Sequence, residues 1–419
     1  MQHIKAESAS YQTTFEASTS VAKSWRASAM DIQRGIIITL MAFSHCREYV
    51  GTDYYKNGEF FNSPAWQGTT ILDFMQHICV TMLASGGFFM MMGIGIVFLY
   101  QARLKAGWSL EKTCLYLIKR GCLLVFLQFT LLLGFEWVAE NQIYLYIGVL
   151  FALGMNMIFS SLCIYCIYKI KSKLNINNSY IEYLLPFTLM MSVIVLVQYF
   201  MDQLRINHVD PGPLVFALIT AGKSNIGLDL DINFTPIPWF PAVAFGLMIG
   251  QILYTYRERS FKPFFTIALA LLAAFFLIRT ANLYGLFTFG EYKMLAADTP
   301  VSFADYFAVT KYPPSVGYFL WAFGINLFCI CMWQLAEKYT PFLVNILKPF
   351  KVFGQCALFF FIFHWFVYLG ISRLIPSPVS EPFDLIKFWL IGLIALYFLC
   401  KKYYAFKSQK SPESIWRMF

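Results

Sequence analysis

Ten separate stretches of mainly apolar residues recur along the chain, at about 31–50, 77–100, 114–135, 143–168, 183–201, 237–256, 263–283, 316–336, 354–375 and 384–401. A helix needs roughly 20 such residues to cross a bilayer. Only helices and closed barrels satisfy the backbone in lipid, and barrel strands are about half as long. The chain therefore reads as an all-α integral membrane protein, a single bundle of about ten transmembrane helices. Composition agrees, with 58% apolar and 13% charged residues, where soluble domains carry about 25% charge. The segment "PGPLVFALITAG" (211–222) is too short to span and reads as re-entrant or interfacial.

With the N-terminus inside and the helices alternating, most of the 32 Lys and Arg fall on the inner side, and most of the 23 Asp and Glu on the outer side. That bias predicts cytoplasmic N- and C-termini. The net charge of +9 is then a rim facing anionic lipid and not a nucleic-acid surface. Residues 1–30 are polar without an apolar core and read as a flexible cytoplasmic tail, not a cleaved signal. Residues 31–401 form the expected transmembrane domain, and 402–419 a basic cytoplasmic tail. Most of the ten cysteines lie in or beside apolar runs, where a thiol behaves as a small hydrophobe. Cys163-x-x-Cys166 has no second pair or histidine near it, so no metal is expected.

The first helix ends in "TLMAFSHCREYV" (39–50), with a histidine, an arginine and a glutamate still inside its length. Arg34, Met41, His45 and Glu48 are spaced by seven, four and three residues and share one stripe of a helix. Eleven residues separate Arg34 from His45, about 16 Å along the axis. Two readings stand at this point. His45, Arg47 and Glu48 anchor a helix end at the interface, or His45 is a general base oriented by Glu48. His77 opens the second helix at the same depth. His364, in "FFIFHWF", lies mid-membrane by count, where a histidine marks function by default or bonds across helices.

The string "MDIQRGIIITLMAFSHCREY" resembles the opening of the heparan-α-glucosaminide N-acetyltransferase-like membrane proteins, matched at Asp31, Arg34, Gly35, His45 and Arg47. "WQGTTILD" (Trp66, Gly68, Thr70, Asp73), "LIKRGCLL" (Arg120, Gly121), "FTPIPWFPAVAFGLMIGQ", "KYPPSVGYFL" and "VFGQCALFFFIFHW" are similar to later family segments, in order. Ser44 stands where many bacterial relatives carry Asp, and Ser63 where the lysosomal branch carries its catalytic His.

The resemblance implies a membrane acyltransferase that takes acetyl-CoA as co-substrate from the cytosol, without a metal, and acylates a sugar or glycan amine or hydroxyl outside. His45 and Glu48 are the expected catalytic residues. Arg34, Lys119 and Arg120 would meet the CoA phosphates. Trp66, Asp73, His77, Trp239, Lys311, Tyr312 and His364 would line the acceptor side. Direct transfer and a covalent acyl-His45 stay open. So do a small-solute permease and an inactive relative. The K-Y-P-P-S form points to a bacterial inner membrane, and a homodimer is compatible with the reading.

Overall fold

The computed structural model describes residues 28–52, 74, 77–140, 143–174, 180–207, 212, 218–219, 222–225, 229–256, 260–283, 303–411 and 413–418. The expected tail of residues 1–30, apart from 28–30, and Trp66 and Asp73 lie outside them, as does most of 211–222.

Nine helices among the described residues are long and apolar enough to cross a membrane. These are α2 (His77–Lys105), α3 (Leu110–Ala139), α4 (Val149–Lys173), α5 (Ile181–Asn207), α6 (Pro236–Tyr256), α7 (Phe261–Leu283), α8 (Val316–Tyr339), α11 (Ala357–Leu374) and α12 (Pro382–Ser408). Ahead of them runs α1, residues 28–50, less apolar because Asp31, Gln33, Arg34, His45, Arg47 and Glu48 lie along it. Two short helices, α9 (Pro341–Ile346) and α10 (Lys348–Gln355), precede α11. The protein is an all-α, multi-span integral membrane protein in contact with the lipid bilayer.

Local chemistry sets the helix ends. Gly107 takes φ +82° between α2 and α3, a left-handed turn that suits a residue without Cβ. Ser109 Oγ then accepts from Lys112 N at 3.1 Å to cap α3, and Ser315 Oγ caps α8 by accepting from Tyr318 N. Two expected boundaries differ. The fourth crossing starts at Val149 and not near 143, because Leu145–Ile147 pair as a strand. The last helix runs past 401 to Ser408, since Lys401 and Lys402 project from it as exposed side chains and leave its backbone helical.

Cross-helix contacts fix the alternation. Arg34 near the start of α1 meets Gly95 late in α2. Ser161 Oγ of α4 donates to Cys114 O of α3, and Lys171 at the end of α4 pairs with Glu182 at the start of α5. Gln251 late in α6 reaches the same Glu182. Trp333 Nε1 late in α8 donates to Gln33 Oε1 of α1. Lys407 of α12 donates to Gln355 O at the end of α10. All these contacts gather at one end of the bundle, the arginine end.

At the far end, β1 (Leu145–Ile147), β2 (Gly222–Asn225) and β3 (Asp229–Ile232) form a small sheet in the order β1-β3-β2, β1 parallel and β2 antiparallel to β3. Ile147, Leu230 and Ile232 are its core.

From the arginine end inward, Gln33 Nε2 also donates to Asn326 Oδ1 at 2.8 Å, while Asn326 Nδ2 donates to Leu83 O and Ala322 O. Buried amides in lipid need such partners.

Candidate functional site

The polar stripe of α1 packs along the segment formed by α10 and α11. At the arginine end, the Arg34 guanidinium donates to Asp31 Oδ1 at 3.3 Å and to Gly354 O at 3.2 Å. Backbones touch here. A Cβ on Gly35 would stand 1.8 Å from Phe350 O, and one on Gly354 would stand 1.9 Å from Asp31 O. The two glycines of the R-G and F-G strings thus let α1 and α10 meet.

Further cations converge on Arg34 from separate elements. Arg120 of α3 is within electrostatic range of Arg34 and of Arg103 in α2. Lys407 of α12 is in range of Arg120, Arg34 and Arg417. Arg120 Nε is buried and has no hydrogen-bond partner among the described residues. Convergent guanidiniums, one with an unmet donor, fit an anion such as a phosphate. Lys119 is exposed on α3, in range of Glu413. Arg103, Lys407 and Arg417 were not singled out from the sequence; their one signal is basic residues in the closing turns of helices that end on this side.

The C-terminal residues cover this end. Lys112 Nζ pairs with Glu413 Oε1 at 2.7 Å, and the hydrogen bond and charge of Lys112 hold the Glu413 carboxyl below its ordinary value. Tyr403 Oη donates to Trp416 O at 2.8 Å.

At the other end of the stripe, His45 Nδ1 lies 3.1 Å from Glu48 Oε2. A carboxylate only accepts, so Nδ1 carries the proton and Nε2 the lone pair. The His45 ring stands 5.1 Å from that of His364 and 4.1 Å from that of Trp365, centroid to centroid. His364 is fully buried. Its Nδ1 donates to Phe360 O at 3.3 Å, which again leaves the lone pair on Nε2. His364 Nε2 and Trp365 Nε1 are buried without a hydrogen-bond partner among the described residues. Such orphan atoms are costly in an apolar interior, and here one acceptor and one donor flank the same imidazole.

Tyr49, Phe135 and Trp365 form an aromatic wall around it, with centroids 5.6–6.0 Å apart. From the sheet, Tyr146 lies in electrostatic range of Glu136, Glu48 and Asp231. Burial pushes its hydroxyl well above the ordinary value, so it stays a phenol. Trp365, Tyr49 and Tyr146 were missed in the sequence, where only adjacency to His364 drew any attention to Trp365.

The other residues expected on the acceptor side sit elsewhere. His77 Nε2 bonds Phe307 O at 2.9 Å. Lys311 is buried over the rings of Tyr312 and Phe234 at 4.8 and 5.6 Å. Trp239 is fully buried and stacked on Phe89 at 4.9 Å. These form a neighbouring aromatic cluster with Tyr312 and Tyr318. His77 falls in electrostatic range of Lys311. No described contact joins this cluster to His45.

No curated protein matches the chain. The family description "Heparan-alpha-glucosaminide N-acetyltransferase, catalytic" matches residues 26–275, more than half of the 419 residues. The matched span takes in Arg34, His45, Glu48, Lys119 and Arg120, while Lys311, Tyr312 and His364 lie beyond its end. The chain accordingly belongs to the heparan-α-glucosaminide N-acetyltransferase catalytic family, a family of membrane acetyltransferases.

Proposed function

We propose that this protein transfers the acetyl group of cytosolic acetyl-CoA to a sugar or glycan amine or hydroxyl on the far side of the membrane. One observation carries the reading. A single helix, α1, links a cation cluster with an unmet guanidinium donor to an imidazole flanked by two unmet polar atoms, about 16 Å apart.

The arginine end is cytoplasmic, as the bias of basic residues directs. Arg34, Arg103, Arg120 and Lys407 hold the CoA phosphates, with Lys119 at the rim, and the thioester arm lies along the stripe toward His45. There the Nε2 lone pair of His45 takes the proton of the acceptor hydroxyl or amine as that atom attacks the thioester carbonyl. The C–S bond breaks and CoA leaves as a thiolate that takes up a proton. Trp365 Nε1–H donates to the oxygen on which negative charge develops, and His364 Nε2 accepts from the acceptor. Glu48 keeps His45 in the reactive tautomer. The same lone pair also serves a two-step route through an acetyl-imidazole.

Acceptor recognition falls to Trp66 and Asp73, assigned from the sequence, and to His77, Trp239, Lys311 and Tyr312 of the neighbouring aromatic cluster. Family membership favours acyl transfer over a permease. The bacterial inner membrane is the proposed location, residues 31–401 the catalytic unit, and a homodimer a compatible assembly.

The test uses the full chain in detergent with acetyl-CoA labelled in the acetyl group. Saturable binding weakened by Arg34→Ala, and CoA release lost in His45→Ala, support the reading. Absence of binding by well-folded wild-type protein overturns it and returns the permease or an inactive relative to the front.

A further inference from the structure

A cavity of about 500 Å³ lies away from the α1 stripe, among α2, α4, α5 and α6 at the arginine end. That volume is in the range of small-ligand sites. Its lining is graded with depth. Lys171, Glu182 and Gln251 stand at the rim, while Ile164, Pro186 and Leu247 lie one to two helical turns further into the bundle.

At the rim, Lys171 Nζ pairs with the Glu182 carboxylate, which also accepts from Gln251 Nε2. Pro186 sits inside α5. Having no N–H, it denies the Glu182 carbonyl the donor that a helix normally supplies four residues on. A second acceptor thus joins the carboxylate.

The cavity also has a way in. α6 packs closely on both α4 and α5, whereas α4 and α5 touch each other only sparsely. Tyr168 of the lining is exposed on α4, and Leu184 and Phe187 are exposed on α5. In a bilayer these surfaces face acyl chains. A gap between two helices, polar at headgroup level and apolar below, is shaped for an amphiphile entering sideways.

We infer that this cavity binds one phospholipid whose headgroup carries both a phosphate and an ammonium, as phosphatidylethanolamine does. The phosphate takes Lys171 and the ammonium takes Glu182, so the resident ion pair opens without leaving either charge unmatched, the condition for exchanging a part-buried pair. An anionic phosphatidylglycerol meets Lys171 but leaves Glu182 unpaired beside its phosphate. The site is independent of the acyl-transfer reading.

The experiment is native mass spectrometry on the full-length protein, delipidated in detergent and offered phosphatidylethanolamine, phosphatidylglycerol, soluble glycerophosphoethanolamine or acetyl-CoA. One phosphatidylethanolamine is expected to stay bound, at least tenfold more strongly than phosphatidylglycerol. The soluble headgroup should not be retained, since it lacks the chain that fills the apolar half. Glu182→Gln should abolish the preference. Leu247→Trp, which fills the deep half and spares the ion pair, should block the lipid and provides the reading if the first variant fails to fold. Equal retention of the two lipids by wild type overturns the inference. So does retention of the soluble headgroup as firmly as the lipid, an unchanged preference in Glu182→Gln or lipid retention by folded Leu247→Trp. Displacement of the lipid by acetyl-CoA also overturns it.

Discussion

Gly35 and Gly354 lie on opposite sides of one helix contact, each with its missing side chain replaced by the other segment's backbone. The Cβ positions fall 1.8 and 1.9 Å from Phe350 O and Asp31 O, so neither site admits even a methyl group unless α1 and α10 part. Gly35→Ala and Gly354→Ala are each expected to cost about 1–3 kcal/mol, as overpacked cores do. Parting the helices would also remove Gly354 O from Arg34, so acetyl-CoA affinity should fall together with Tm in a thermal melt.

His45 and Glu48 should separate by the character of their substitutes. His45→Ala is expected to lower kcat by about 10²–10⁴-fold, the usual worth of a positioned base. Glu48→Gln keeps an oxygen that accepts from Nδ1 and should lose less than Glu48→Ala. Steady-state kinetics on the three variants, with KM for acetyl-CoA unchanged, checks the assignment.

Trp365→Phe keeps an aromatic ring against His45 and removes the indole N–H together with the five-membered ring that carries it; that N–H has no hydrogen-bond partner among the described residues. If that donor serves the developing oxyanion, kcat should drop by about 10²–10³-fold, while the lost packing lowers Tm only modestly. An unchanged kcat would assign Trp365 to packing.

Arg120→Ala and Lys407→Ala are expected to weaken acetyl-CoA by about 10–100-fold each, the equivalent of one charged hydrogen bond, without altering dephosphorylated pantetheine thioesters. Isothermal titration at two salt concentrations checks this. The wild-type affinity should fall with salt and the variants' affinities should fall less.

The C-terminal clasp is expected to depend on pH. Lys112 lowers the Glu413 pKa in the folded state. The group therefore adds to the docking of the tail above its unfolded value and ceases to do so as pH falls through the lowered folded one. Hydrogen–deuterium exchange of the tail amides around Trp416, taken relative to the intrinsic exchange rate at each pH, should accelerate below about pH 4.5 in wild type. In Glu413→Gln it should be fast and independent of pH.

The crossings were readable because length and hydropathy are local quantities. Even α1, the least apolar, declared itself through Gly35 to Phe43. The fourth helix was misjudged at its start because "LYI" at Leu145–Ile147 is as apolar as helix and is held as strand by pairing with Leu230–Ile232. His45 and Glu48 were paired by the helical period alone. Trp365, Arg103 and Lys407 were not legible, because what brings Trp365 to His45 is packing between segments some 320 residues apart. No periodicity within one segment encodes such contacts. Trp66 and Asp73 lie outside the described residues, so the string that announced them keeps its standing as sequence alone.

The contact of α1 with α10 and α11 has one more consequence. Arg34 is tied to Gly354 at one level, and the His45 ring packs tilted against His364 and Trp365 at another. Both ends of the interval are thus clamped to the same neighbour, and the spacing cannot stretch. Under the proposed function, the pair of segments would act as a gauge for the donor's arm and not for the acyl group it carries. A truncated thioester long enough to reach the imidazole but without its anchor should react slowly at saturation. A longer acyl chain on full CoA should meet a limit only beyond His45, in whatever room the acceptor leaves.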